Sequence, residues 1–294
     1  MTWQLAVACS IVANVLVTLI ERRYAQRSVL PATFPPALSY LLGVLPVGFF
    51  AGLVLLPHDI YWSWWLVLLL VIGGAAMAIS NWTMFKVIGT MAVAPFQTIN
   101  RFYLIVVILL GWTLLGEGLT MPQFIGATIL LSGALLAIWA PLNGMAREHR
   151  KLHFATVALA LISAITLGIG LVTEKAILGH MEVGGGFLVG WTAQTIAMFV
   201  LALKDTTRAN LQKLNKREVK WSALMGATNG LTGAFYVYAI FHADNVSLVT
   251  SLTTIVLPLT VLGAYIFLHE RENRTLMWAS LGLSFVGLIV TSIH

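Results

Sequence analysis

The feature that most constrains this chain is the return, along its whole length, of apolar segments with only short polar stretches between them. Each segment runs about 18 to 24 residues, enough to cross roughly 30 Å of hydrocarbon as a helix, and a helix pairs its own backbone N–H and C=O groups where lipid offers none. Spans are expected near 2–20, 37–56, 62–85, 91–115, 122–141, 153–173, 185–203, 221–241, 246–268 and 276–293. The expected fold class is therefore all-α integral membrane, with ten transmembrane helices. Only 10% of the residues are charged, against about 25% in a soluble domain, so a water-facing surface could not be built from them.

Met1-Thr2-Trp3-Gln4 places no basic residue ahead of the first apolar run, unlike the charged start of a cleavable signal peptide, so the first span is expected to stay in the mature protein. The single cysteine, Cys9, leaves no intramolecular disulfide and no cysteine-based metal cluster. The net charge of +6 comes from loops beside the spans and follows no nucleic-acid-binding pattern, so it reads as membrane topology. Fifteen of the seventeen Lys and Arg residues lie in alternate loops on one face, among them Arg22, Lys86, Arg147, Lys204, Lys220 and Arg274. The opposite face has only Lys175, and Arg101 falls inside a span. The excess of positive charge on cytoplasmic loops then puts both termini outside the cytoplasm of a multi-pass plasma-membrane protein.

Sliding the chain against itself by 153 positions brings Ser10 onto Ser163, Glu21-Arg22 onto Glu174-Lys175, Gly73 onto Gly226, Val93 onto Val246 and Glu117 onto Glu270. Two units follow, 1–144 and 152–294. Each carries five expected spans, an odd number, so the second enters the membrane from the side opposite to the first. Such inverted repeats accompany alternating access around a substrate site near the bilayer midplane.

The runs that carry this repeat resemble a known family. Met91-Ala92-Val93-Ala94 through Leu115-Gly116-Glu117-Gly118 and on to Gly126-Ala127, and in the second half Val246-Ser247-Leu248, Leu257-Pro258-Leu259 and Leu268-His269-Glu270-Arg271, look like EamA repeats of the drug/metabolite transporter superfamily. The resemblance covers nearly the whole chain, and its most specific element is the twelve-residue spacing from Pro258 to Glu270. It implies a ten-helix carrier for metabolites such as amino acids, amines, nucleotides or sugar conjugates. Two departures stand out. Ile105 occupies the first-half position of Pro258, so the fourth span is expected to lack the family's proline kink. The family's ten-helix members keep their termini cytoplasmic, whereas the charges here place them outside.

An ionisable side chain at mid-membrane costs a few kcal/mol, about 2.5–3.5 on insertion scales, unless it faces a cavity or a partner. Arg101 stands eleven residues into the fourth span, with Gln97 one turn earlier and Asn100 beside it. The repeat places Thr254, Thr250 and Thr253 at the matching points of the ninth span. Arg101 is expected either to hold a carboxylate or phosphate of the substrate in its guanidinium fork, or to cap carbonyls within the bundle. Asn14, Asn81, Gln194, Asn229, Tyr236 and Tyr238 are candidates to line the same cavity, as are the deeper tryptophans Trp82 and Trp191. Each of these also reads as an interhelical hydrogen bond or a packing position. Trp62, Trp64, Trp65 and Trp221 are expected in the interfacial aromatic belt.

All eleven carboxylates read as loop or span-end residues, with Glu21 paired to the neighbouring Arg22. No Ser-His-Asp set, no His-Glu-x-x-His and no acidic cluster is present. The expectation is a non-enzyme without metal or cofactor. It would move a small zwitterionic or anionic, amino-acid-like metabolite as facilitator, exchanger or exporter, and act as monomer or homodimer with the bilayer as its other partner and no nucleic acid. A flippase for a lipid-linked sugar or phospholipid is the alternative within transport, and a non-transporting receptor or scaffold the alternative outside it.

Overall fold

The computed structural model describes residues 2–54, 59–115, 121–139, 147–242, 253, 255–269 and 274–291. Helix α1 (Trp3–Ala25) starts where the Thr2 hydroxyl accepts from the Leu5 amide, and it ends with Arg22 and Arg23 in its last turn, where cations offset the helix dipole. Helix α2 (Phe34–Val54) opens on Pro35 and Pro36, which need no intrahelical donor in a first turn. It widens into a π-type turn over Tyr40–Val44. Helix α3 (Trp64–Ile88) is capped by Ser63, whose Oγ accepts from the Leu66 amide at 3.1 Å.

The next apolar segment is not one helix. Helix α4 (Val93–Asn100) stops at Arg101, and α5 (Tyr103–Leu115) resumes after a turn at Arg101 and Phe102. Three-residue hydrogen bonds bridge the break, from the Leu104 amide to the Arg101 carbonyl and from the Ile105 amide to the Phe102 carbonyl, both 3.0 Å. Ile105 itself lies within α5, and the interruption comes four residues before it, with neither proline nor glycine at the break.

Beyond it come α6 (Met121–Trp139), α7 (Arg147–Leu178), α8 (Val183–Leu203), α9 (Arg208–Gln212), α10 (Lys216–His242), α11 (Val256–Phe267) and α12 (Arg274–Thr291). Helix α8 has its own π-type turn, Gly186–Gly190. Six described stretches are long and apolar enough to cross a membrane: α1, α2, α3, the α4–α5 pair, His153–Leu178 within α7, and α8. The other four expected spans also fall on helices, namely α6, α10, α11 and α12, but these lack a described window that meets the same length and hydropathy. The described residues form no strand, only an isolated bridge between Ile60 and Met181.

Large apolar side chains face outward along these helices, including Phe50, Trp64, Val71, Leu114 and Val200. A water-exposed protein rarely shows so much apolar surface, whereas lipid contact requires it. The chain is an all-helical, multi-pass membrane protein.

Two helix pairs set the interior. Helices α3 and α7 lie side by side, and Ser80 and Ser163 exchange hydrogen bonds across them: Ser80 Oγ donates to the Ser163 carbonyl at 3.0 Å and Ser163 Oγ to the Ser80 carbonyl at 3.1 Å. Helices α1 and α10 pair likewise, with Ser10 Oγ donating to the Thr232 carbonyl at 3.0 Å. Helix α2 crosses α10 at a contact of bare backbone. A methyl group on Gly226 would lie 1.9 Å from the Ser39 carbonyl oxygen, and one on Gly43 would lie 2.1 Å from the Ala227 nitrogen. At the basic end, Glu218 of α10 is buried, accepts from Ser28 Oγ at 2.9 Å, and takes the Tyr24 hydroxyl on its carbonyl.

Candidate functional site

Small residues open a partly open cavity where α3, α7 and α8 meet, with Val237 of α10 on one wall. Gly73 and Gly74 of α3, Gly170 of α7, and Gly186 and Gly190 of the α8 π-type turn supply the room. A methyl group on Gly190 would meet nothing within 4 Å, so that position gives directly onto empty space. Three polar side chains reach the cavity: Glu174, Gln194 and the indole of Trp191. Trp191 and Gln194 are three residues apart on α8, and Gly170 and Glu174 are four apart on α7, so each pair shares one helical face.

The Trp191 indole lies beside the Glu174 carboxylate on the cavity wall. The ring is fixed from three sides. Phe187 meets it edge-on at 4.8 Å between centroids, Gly48 of α2 lets it approach so closely that a methyl there would sit 2.3 Å from Cε3, and one on Gly233 of α10 would sit 2.9 Å from Cζ2. The phenol of Tyr40, buried in the α2 π-type turn, lies within electrostatic reach of both Glu174 and Glu21 and accepts from Asn81 Nδ2 at 3.1 Å. The cavity thus combines a fixed aromatic face, a carboxylate and a primary amide. That set accepts hydrogen bonds from hydroxyl or ammonium donors and packs against C–H faces.

Of the side chains singled out in the sequence, Trp191 and Gln194 meet in this cavity, and Asn81 binds Tyr40 beside it. The Arg101 group lies elsewhere. Gln97 donates to Thr18 Oγ1 of α1 at 3.3 Å, Asn100 is buried at the end of α4, and Arg101 reaches Tyr103 Oη at 3.4 Å. The Asn14 carbonyl accepts from Thr18 Oγ1, and Tyr236 packs against the Ala6, Val7 and Ala239 cluster. Asn229 is half-buried on α10 outside the cavity lining. Trp82 lies under the Lys204 ammonium, 4.2 Å from the ring centroid, with Lys86 Nζ at 5.9 Å, a cation–π arrangement that occupies the face expected to stack on substrate. Thr250 and Thr254 lie outside the described residues.

The reading of all carboxylates as peripheral is corrected at two positions. Glu21 is 5% exposed inside α1, and Glu174 faces the cavity inside α7. The signal was available for Glu174: the apolar run resumes with Ala176-Ile177-Leu178 after the charged pair, so the helix carries the carboxylate on past Lys175. The Arg22 guanidinium, expected on Glu21, donates to the Ile88 carbonyl.

No family model matches the chain. A curated relative from Lactobacillus johnsonii, described as a "putative sugar uptake protein", is 24% identical over 269 residues, covering 87% of this chain and 90% of its own. A crystal structure, described only as that of a protein, superposes over 98% of both chains with a TM-score of 0.62 at 18% identity, a likeness of fold. Together with the apolar helices, the likeness to the Lactobacillus johnsonii relative supports a membrane transporter.

Proposed function

We propose that the chain is an alternating-access carrier for a small polyhydroxylated solute, recognised at the cavity of Glu174, Gln194 and Trp191. The observation that carries this reading is the composition of the cavity wall. An aromatic face suits the C–H side of a sugar ring, while a carboxylate and an amide accept and donate hydrogen bonds to adjacent hydroxyls. The described lining contains no cationic side chain, so an anionic cargo would meet Glu174 unpaired. That is the reason to prefer a neutral polyol here over the anionic metabolite inferred from Arg101. The description of the Lactobacillus johnsonii relative as a sugar uptake protein points the same way.

Ten spans arranged as two inverted EamA-like halves, 1–144 and 152–294, belong to the same reading. The cavity lies by the α7–α8 turn, where Leu178 and Val183 border it. On the charge count this end of the bundle is the external one.

The test is uptake of labelled monosaccharides, polyols and amino acids into liposomes containing the purified protein. Saccharide uptake that Glu174→Gln and Gln194→Ala each reduce at least tenfold supports the reading. No saccharide uptake, or uptake indifferent to both substitutions, rejects it.

A further inference from the structure

Buried polar atoms without a hydrogen-bond partner are rare in native proteins, because each costs its full desolvation, so those that occur mark places where something else binds. Among the described residues they are Asn100 Oδ1, Arg101 Nε, Thr260 Oγ1 and Ser284 Oγ. Their distribution is not random. Asn100 and Arg101 are consecutive at the break between α4 and α5, while Thr260 and Ser284 belong to α11 and α12, the two helices that pack with α4 around Ala94, Leu257, Val261 and Leu281. The cavity of Glu174 includes none of the four.

The break itself is a second, independent observation. Irregular backbone at membrane depth persists where it is buried in protein or lines a binding space, and interrupted helices of carriers present their ends to substrates and ions. No proline or glycine forces this one, so local sequence preference does not explain it.

We infer that the α4–α5 break is a second ligand site, for a small carboxylic acid carrying a hydrogen-bond donor next to the carboxylate, that is, an α-amino or α-hydroxy acid. Arg101 Nε is a donor with a full positive charge behind it and takes the carboxylate. Asn100 Oδ1 is an acceptor on the adjacent residue and takes the ammonium or hydroxyl. A plain carboxylate satisfies only the first atom and an amine only the second. The site lies outside the sugar-like cavity, and its existence does not depend on that reading.

The test uses the full-length protein purified in detergent, with melting temperature read against glycine, lactate, acetate and ethanolamine at matched ionic strength. Glycine, lactate or both should raise the melting temperature in a saturable way, acetate less and ethanolamine not at all. Arg101→Lys keeps the charge but loses the fork, and should weaken binding about tenfold to a hundredfold, as loss of a charge-assisted hydrogen bond does. Asn100→Leu separates ligand binding from folding. An atom that waits for a ligand is no loss to the empty protein, so this variant should melt no lower than wild type without ligand and should no longer respond to glycine. Glu174→Gln should keep the full response even where it abolishes saccharide uptake. The inference is overturned by the absence of any carboxylate effect, by a response that survives in Arg101→Gln, by a ligand-free Asn100→Leu protein that melts lower, as loss of a water-filled structural site would cause, or by a response that disappears with Glu174.

Discussion

Replacing Gly48 with alanine tests how the cavity holds its aromatic wall. The added methyl would stand 2.3 Å from Trp191 Cε3 and 3.0 Å from Cδ2, so the indole must retreat by roughly 1 Å to regain ordinary contact. It cannot retreat along α10, where Gly233 is already in close contact, nor past the edge-on Phe187. The ring has to turn, and turning carries its N–H away from the neighbouring Glu174 carboxylate. Losing a hydrogen bond to a charged group costs about 1.5–3 kcal/mol, which corresponds to a tenfold to hundredfold rise in the KM for uptake if the carboxylate is then misplaced. Overpacking adds about 1–3 kcal/mol of destabilisation. Uptake into liposomes and the melting temperature of the same preparations measure the two effects. Trp191→Phe in the Gly48→Ala background separates them: the smaller ring should recover stability without recovering affinity, because phenylalanine has no N–H. Gly282→Ala, where the methyl meets nothing within 4 Å, is the neutral control. Unchanged KM and melting temperature in Gly48→Ala, or affinity restored by phenylalanine, would refute the role given to the indole.

Gly226→Ala should be far more damaging than Gly48→Ala, because its methyl meets the Ser39 carbonyl at 1.9 Å, backbone that has no rotamer to change; yield and melting temperature should both fall by more than in any other glycine variant tested. In a Cys9→Ala background, a cysteine at Asp59 should react with a membrane-impermeant thiol reagent on intact cells and one at Gln212 only after lysis, and the reverse pattern would invert the orientation taken from the charges. Glu21→Gln, at a buried site outside the cavity lining, should leave the KM for saccharide within about threefold of wild type, less than 1 kcal/mol, whereas Glu174→Gln should not; equal losses would mean that both carboxylates touch the solute.

Membrane helices were legible in the sequence because lipid imposes a one-dimensional condition: a run of apolar residues of sufficient length needs no knowledge of its neighbours. Trp191 was legible for the same reason, as a tryptophan too deep for the interfacial belt. Glu174 left a signal in the apolar residues that follow Lys175, but averaging hydropathy pushes a charged residue to the end of its span, and burial depends on which way α7 is rotated against α3 and α8. The contact of Trp82 with Lys204 was not legible, because the lysine is far away in sequence and a cation–π contact leaves no local trace. The break after Asn100 had no marker at all. Proline and glycine announce interruptions, and here neither is present; the packing of α4 against α7, α11 and α12 decides it.

The bare-backbone crossing at Gly43 and Gly226 has a mechanical consequence. Helices so close that a methyl cannot enter between them do not slide or separate without losing the contact altogether, so α2 and α10 travel together, and α1 with them through its long face on α10. The reciprocal serine bonds bind α3 to α7 in the same way. Each of these groups joins helices from the beginning of the chain to helices from its second half. Under the proposed alternating access, the bodies that rock against one another are then not the proposed halves 1–144 and 152–294 but two mixed sets, with α8 in contact with both.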